Sequence, residues 1–497
     1  MKALKHLNRL ILPAVLLAAA ALPALAAAPV SAPAAPVTSS DRVLPLNRYA
    51  WSRQAQQGAD EFYEQPVGLC EDYPEESTQI DKIRRDFETM KALGVRHLRF
   101  AFGWDSIEQA PGQYHWGFWD ELVKLAGEYG ISLLPYVCYT PAWANDGGDN
   151  FWRTPPRDPA SFGRFMQVIV KRYKGQIRSW ELWNEPDLEA YWLGSPDQFA
   201  DMIQQAAGRV RAADPGAVIV LGGMSRGRGP FFERLIQTHH LDRYVDVLNL
   251  HGYNETWHPA VTEDYPEQIR YFGSILPPGG AEPDIWLAEF GYSNWRFGPT
   301  TVSQWGIDAI YAYEHTPRYQ AISLFKQHLM ALEAGNLSLT AWYRINDLEP
   351  GTGVIGDDNN KFLGVLDSKG KPKPAWHALK LYTGLYSRPL RGRSERLQQQ
   401  LPAKSQAVVT AFETEDGHLL LSAWLRSSRR DEVADKSGMA KDSRSETLAL
   451  QLPGGYKSLQ TYAISGEKVQ TKAYLQSGWI RNLSLSGGEI FVAELGN

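Results

Sequence analysis

Ser179-Trp180-Glu181-Leu182-Trp183-Asn184-Glu185-Pro186 reads as a largely apolar strand that ends on an amide and a carboxylic acid, with Pro186 turning the chain. A second run, Ile285-Trp286-Leu287-Ala288-Glu289-Phe290-Gly291, has the same form and ends at a chain-turning glycine. A carboxylate at the end of an apolar strand must be hydrogen-bonded or carry a raised pKa. Two of them, on different strands, make a candidate pair.

Outward from these runs, residues 62–388 alternate strand and helix patterns. Phe62 to Leu69 reads as the first strand, Val95 to Phe102 as the second, Ile131 to Val137 as the third and Ile177 to Trp183 as the fourth. Ala217 to Leu221, Val245 to Leu250, Asp284 to Ala288 and Leu339 to Ile345 follow as strands five to eight. Between the first two, Ile80, Ile83, Phe87 and Met90 recur at helical spacing and stop at Gly94. Helices also read over 118–129, 158–173 and 374–385. Ser195-Pro196-Asp197-Gln198 has the form of a capped helix start. The pattern predicts an α/β fold, a (β/α)8 TIM barrel, over 62–388. Glu185 would follow strand four and Glu289 strand seven, both on the rim where a barrel keeps its site. A doubly wound open sheet is the alternative. Against it, no G-x-G-x-x-G follows the first strand and no phosphate-binding loop is present.

From 389 to 497 the pattern changes to short strand-like runs, among them Gln406 to Phe412, His418 to Leu425 and Val469 to Leu475. They predict a small C-terminal β-sandwich domain that braces the barrel or binds polymer. Ser427 to Thr447 is dense in charge and reads as a mobile loop. At the other end, Lys2, Lys5 and Arg9 precede an apolar stretch from Leu10 to Leu25 with A-x-A patterns at its close. Residues 1–28 therefore read as a signal peptide and 29–61 as an Ala/Pro-rich linker and lead-in. An uncleaved inner-membrane anchor is the other reading, although the run is short for a span of about 20 residues. Export, to the periplasm or beyond, is expected.

The 497 residues are 43% apolar and 22% charged, ordinary for a soluble protein. A net charge of -5 argues against nucleic acid as a partner. Aromatics reach 12%, with 17 Trp, and their homes are cores or the apolar faces of sugars. Cys70 and Cys138 fall near strand ends and read as buried free thiols. With no H-E-x-x-H, paired Cys or EF-hand loop, no metal and no cofactor is expected. A monomer is expected.

Hydrolysing a glycosidic bond takes a proton for the leaving oxygen and an anion for the oxocarbenium-like carbon, and two carboxyls facing across a barrel mouth supply both. At this point the sequence resembles a known group. Trp183-Asn184-Glu185-Pro186 is similar to the acid/base segment of glycoside hydrolase clan A, retaining enzymes on (β/α)8 barrels. Trp104-Asp105-Ser106-Ile107-Glu108 with Pro111-Gly112-Gln113-Tyr114 looks like the clan's segment after strand two. Asp246-Val247 with His251-Gly252-Tyr253, and Tyr343-Arg344-Ile345-Asn346-Asp347, resemble family 39, which includes β-xylosidases, α-iduronidases and hydrolases encoded with bacterial exopolysaccharides.

The resemblance implies a retaining β-glycoside hydrolase, endo-acting on an exopolysaccharide or other β-linked polysaccharide, with Glu185 as acid/base and Glu289 as nucleophile. It implies that Asn184 contacts the sugar 2-hydroxyl and that Arg99 and Tyr253 hold Glu289. Arg99 also reads as a barrel ion pair, Tyr253 as a loop aromatic, and His251 as either a core imidazole or a substrate contact. Trp342 matches the platform under the reactive sugar, and Trp104, Trp143, Tyr292 and Trp295 are candidate stacking residues. The rival readings are an exo-acting β-xylosidase-like or endoglucanase-like enzyme, a transglycosylase, and a non-catalytic polysaccharide-binding or assembly protein.

Overall fold

Eight parallel strands close into a barrel, as the alternation predicts. The computed structural model describes residues 62–75, 77–225, 227–258, 260–295, 315–335, 337–427 and 442–497. The expected signal peptide and linker lie outside them. The chain begins with β1 (Val67–Cys70), α1 (Ile80–Leu93) and β2 (His97–Gly103). A short helix α2 (Trp104–Ile107) and a hairpin, β3 (Glu108–Ala110) and β4 (Gln113–Tyr114), interrupt before α3 (Gly117–Tyr129). Then come β5 (Ser132–Cys138), α4 (Ala160–Arg172), β6 (Ser179–Asn184), α5 (Pro196–Ala213), β7 (Val218–Gly223) and α6 (Pro230–Gln237). The barrel ends with β8 (Val247–Gly252), α7 (Tyr265–Ser274), β9 (Asp284–Phe290), α8 (Pro317–Ala334), β10 (Leu337–Tyr343) and α9 (Pro374–Tyr386).

The strand order β1-β10-β9-β8-β7-β6-β5-β2 closes where Cys70 pairs with both Tyr343 and Arg99. Local chemistry set these bounds. Gly94 ends α1 at φ 77, a conformation that costs glycine nothing. Ser195 caps α5 as expected: its hydroxyl accepts from the Gln198 N–H, and Gln198 returns a bond to the Ser195 N–H.

Leu134, Val218, Val220, Val247, Trp286, Ala288 and Leu339 fill the barrel interior. A larger cluster joins the outer strand faces to the helices, with Trp119, Trp180, Trp183 and Trp342 fully buried in it. Each such burial stabilises by roughly 1.5–3 kcal/mol for an aliphatic or Phe side chain, more for indoles. Cys70 and Cys138 are buried and free. Among the described residues no helix is long and apolar enough to cross a membrane.

Beyond the barrel lie β11 (Leu390–Gly392), α10 (Ser394–Gln398), β12 (Ala407–Thr414), β13 (Leu419–Leu425), β14 (Ser445–Gln451), β15 (Ser458–Tyr462), β16 (Lys468–Val469), β17 (Tyr474–Gln476), β18 (Trp479–Ser486) and β19 (Ile490–Gly496). They form two antiparallel sheets, β11-β12-β13-β19-β15-β16 and β14-β18-β17. The strand expected over Val469 to Leu475 is two strands in different sheets, parted by a turn in which Thr471 Oγ1 accepts from the Ala473 N–H. Of the loop expected over 427–447, residues 428–441 lie outside the described residues, and Ser445 already begins β14.

Alternation along β13 explains how this domain sits. Leu419, Leu421, Ala423 and Leu425 face the smaller sheet, while Leu420 and Trp424 join the barrel's cluster. Trp424 Nε1 donates to Glu263 at 2.7 Å, and Tyr386 and Ser422 share a hydrogen bond at 3.0 Å. The barrel covers that face of the sheet.

Candidate active site

Glu185 and Glu289 meet at the mouth because two strands break their alternation. On β6, Trp180 and Leu182 face the helices and Glu181 faces inward. Strict alternation would then point Trp183 in and Asn184 out. Trp183 adopts φ 88, stays in the outer layer against Phe162 and Trp192, and leaves Asn184 facing in. Glu185 follows at φ 41. Positive φ is costly at such residues and concentrates at functional sites. On β9, Trp286 and Ala288 face the interior, so alternation would turn Glu289 outward. A register shift intervenes: Leu250 pairs with Leu287 but His251 with Glu289, leaving Ala288 as the extra residue. Glu289 thereby points into the mouth.

Arg99 holds the centre. Its Nε and Nη2 donate to Glu181 at 2.7 and 2.8 Å, Nη2 also donates to Asn184 Oδ1 at 2.8 Å, and Nη1 reaches Glu289 Oε2 at 2.6 Å. Its guanidinium lies over the Tyr136 ring at 4.3 Å. Tyr253 donates to the other oxygen of Glu289 at 2.7 Å. His251 Nδ1 is 2.9 Å from Glu185 Oε1 and 3.8 Å from Glu289 Oε2. Gly223 admits the imidazole: a Cβ there would stand 1.9 Å from His251 Nε2. Glu185, His251 and Glu289 each place a polar atom within 4.8 Å of the others.

The electrostatics separate the two carboxyls. Burial, reinforced by Asp187, pushes the Glu185 carboxyl up to about 8, so it carries its proton at neutral pH. Burial also raises Glu289, but the Arg99 guanidinium opposes it, and both its oxygens accept hydrogen bonds, the pattern of an ionised group. Burial lowers His251, favouring the neutral ring. Glu185, His251 and Glu289 are the grouping nearest to a metal-ligand set among the described residues. The guanidinium 2.6 Å from Glu289 repels a cation there.

Of the residues expected from sequence, Arg99, Asn184, Glu185, His251, Tyr253 and Glu289 come together. Three aromatics do not. Trp342 is fully buried and faces the helix layer, packed on Phe290 and His328, so it is no sugar platform. Its neighbour Tyr343 faces the mouth, clustered with Cys70, Ala341 and partly buried Tyr253 and Trp257. The expectation was one residue out of phase with the pleat. Trp104 is fully buried against Phe162 and Phe165, its Nε1 donating to Glu108 at 2.7 Å. Tyr292 is buried between His315 and Tyr319. Trp143 remains partly exposed, with Nε1 on the Glu108 carbonyl, and Trp295 is also partly exposed.

Sequence reasoning missed Glu181, which also accepts from the Gly223 N–H at 2.9 Å and Asn249 at 3.0 Å. A charged residue inside an apolar strand was the available signal. It missed Tyr136, which lies against Arg99, and Tyr343, which faces the mouth, because both depend on facing direction.

Comparison with known proteins agrees with this architecture. Residues 72–147 match the glycoside hydrolase 42 model, described as beta-galactosidase. Endo-1,4-beta-xylanase 3 of Hypocrea jecorina is 27% identical over 193 residues, 36% of this chain and 53% of that protein. The chain thus spans about half the length of that curated relative. A family 39 glycoside hydrolase from Bacteroides cellulosilyticus superposes with a TM-score of 0.64 at 17% identity, over 87% of this chain and 81% of that one. A monomeric beta-xylosidase from Caulobacter crescentus gives 0.61 at 14%, over 93% and 98%. The chain has the barrel fold of clan A glycoside hydrolases, and families 39 and 30 are its structural neighbours.

Proposed function

We propose that the protein is a retaining β-glycoside hydrolase acting on a β-linked polysaccharide. The observation that carries this reading is the asymmetry of two facing carboxyls, with one oxygen of each within 4.8 Å of the other: a protonated Glu185 facing an Arg99- and Tyr253-bound Glu289. Retaining pairs stand about 5–5.5 Å apart, inverting pairs roughly 6.5–9.5 Å. Glu289 attacks the anomeric carbon while Glu185 protonates the departing oxygen. The glycosyl-enzyme then forms, and Glu185, now ionised, takes a proton from the water that releases the sugar. Asn184, held by Arg99, faces the 2-hydroxyl. The kinship with endo-xylanases supports a polysaccharide substrate. Partly exposed Trp257, packed edge-on against Tyr253 at 4.5 Å, supports contacts beyond the reacting sugar and hence endo action. With the expected export signal, a bacterial exopolysaccharide is the substrate this reading favours.

The test is a panel of β-linked glycans with the anomer of the first product read by NMR. Retained configuration is expected, and an inverted first product would overturn the mechanism. The pH profile gives a second check. Glu185 is competent as an acid only while protonated, so kcat/KM should hold up to pH about 8 and fall tenfold per unit above it. A basic limb near pH 5 would remove Glu185 from the acid role.

A further inference from the structure

Asp72 stands just beyond β1, partly exposed, and is outside the machinery described so far. Its two oxygens accept from two phenols, Oδ1 from Tyr136 at 2.8 Å and Oδ2 from Tyr343 at 2.9 Å. Tyr136 lies under the Arg99 guanidinium that binds Glu289, and Tyr343 lines the mouth beside Tyr253. Asp72 therefore belongs to the same cleft as the glutamate pair.

Barrel order says which side. Glu185 ends β6, three strands from β1 through β5 and β2, while Glu289 ends β9, two strands from β1 through β10. The leaving group departs toward Glu185. The sugar that becomes attached to Glu289 lies away from it, toward β10 and β1, where Asp72 waits.

We propose that Asp72 determines specificity on the glycone side, accepting hydrogen bonds from the hydroxyls of an uncharged sugar and disfavouring uronic acids. This rests on the hydrolase reading for the direction of the glycone. Each carboxylate oxygen has two acceptor positions, and one phenol occupies one of them on each. The remaining positions accept, and only a donor satisfies them. Among the described residues Asp72 pairs with no Lys or Arg. The Arg344 guanidinium, which donates to the Tyr343 hydroxyl at 3.3 Å, is buried and already ion-paired with buried Glu71. Among the described residues, a uronate carboxylate placed here would meet a like charge with no unpaired cation to offset it.

Binding of matched sugars tests this. Cellopentaose, mannopentaose and galactopentaose, each with its C6-oxidised counterpart, are titrated calorimetrically into Glu289→Gln protein and into Glu289→Gln/Asp72→Asn. In the single variant at least one neutral pentamer should bind more tightly than its oxidised form. Asp72→Asn should weaken that neutral ligand by roughly 10- to 100-fold, the range of a hydrogen bond to a charged group, and narrow the neutral-to-oxidised ratio. Asp72→Asn keeps the size of the side chain and an acceptor for one phenol, the other phenol accepting from the amide, and an unchanged melting curve verifies the fold. Tighter binding of oxidised pentamers, binding of no neutral pentamer, or an equal loss for both forms overturns the proposal. Because the readout is binding, it is distinct from the product-anomer test on which the hydrolase reading stands or falls.

Discussion

Glu289→Ala is expected to lose hydrolysis of an unactivated oligosaccharide by on the order of 10^5-fold, the scale seen when a covalent nucleophile is removed. The fold should survive. Arg99 keeps its bonds to Glu181 and Asn184, so no buried charge is left without a partner. A melting curve close to that of the unaltered protein is the first check. Sodium azide is the second. A small anion can enter where the carboxylate stood and attack the anomeric carbon once, so the glycosyl azide should have inverted configuration. Unaltered rates in Glu289→Ala, or azide product of retained configuration, would take the nucleophile's role from Glu289.

The barrel was legible because its strands and helices carry their periods plainly and their stops are chemical, as Gly94 and Ser195 illustrate. The two glutamates were legible as charged residues closing apolar strands. Which way a side chain faces was less so. Read by alternation alone, Glu289 would point to the helices; the extra residue at Ala288 turns it inward, and nothing in that run announces a shift. The same parity problem sent the platform expectation to Trp342 when Tyr343 faces the mouth. Large aromatics near the rim could equally serve core or cleft, and Trp104 and Tyr292 proved to be core because neighbouring aromatics enclose them. Asp72 sits in a loop, and its tyrosine partners lie 64 and 271 residues away in sequence.

Glu185→Gln should separate substrates by their leaving groups. On an unactivated oligosaccharide the departing alkoxide needs a proton, and the loss is expected to be roughly 10^2–10^4-fold. A 2,4-dinitrophenolate leaves without one, so cleavage of a dinitrophenyl glycoside should be affected far less at the first step. The second step still wants a base for water, so the glycosyl-enzyme should accumulate, visible as a burst of dinitrophenolate and as added mass on Glu289. Azide relieves that step because it needs no base. It attacks a carbon that Glu289 has already inverted, and the product should be a glycosyl azide of retained configuration, opposite to that from Glu289→Ala. The basic pH limb should also vanish, since the group held near 8 is gone. Equal losses on both leaving groups would show that Glu185 orients substrate and does not transfer the proton. His251 would then be the next group to weigh, lying 2.9 Å from Glu185 and 3.8 Å from Glu289.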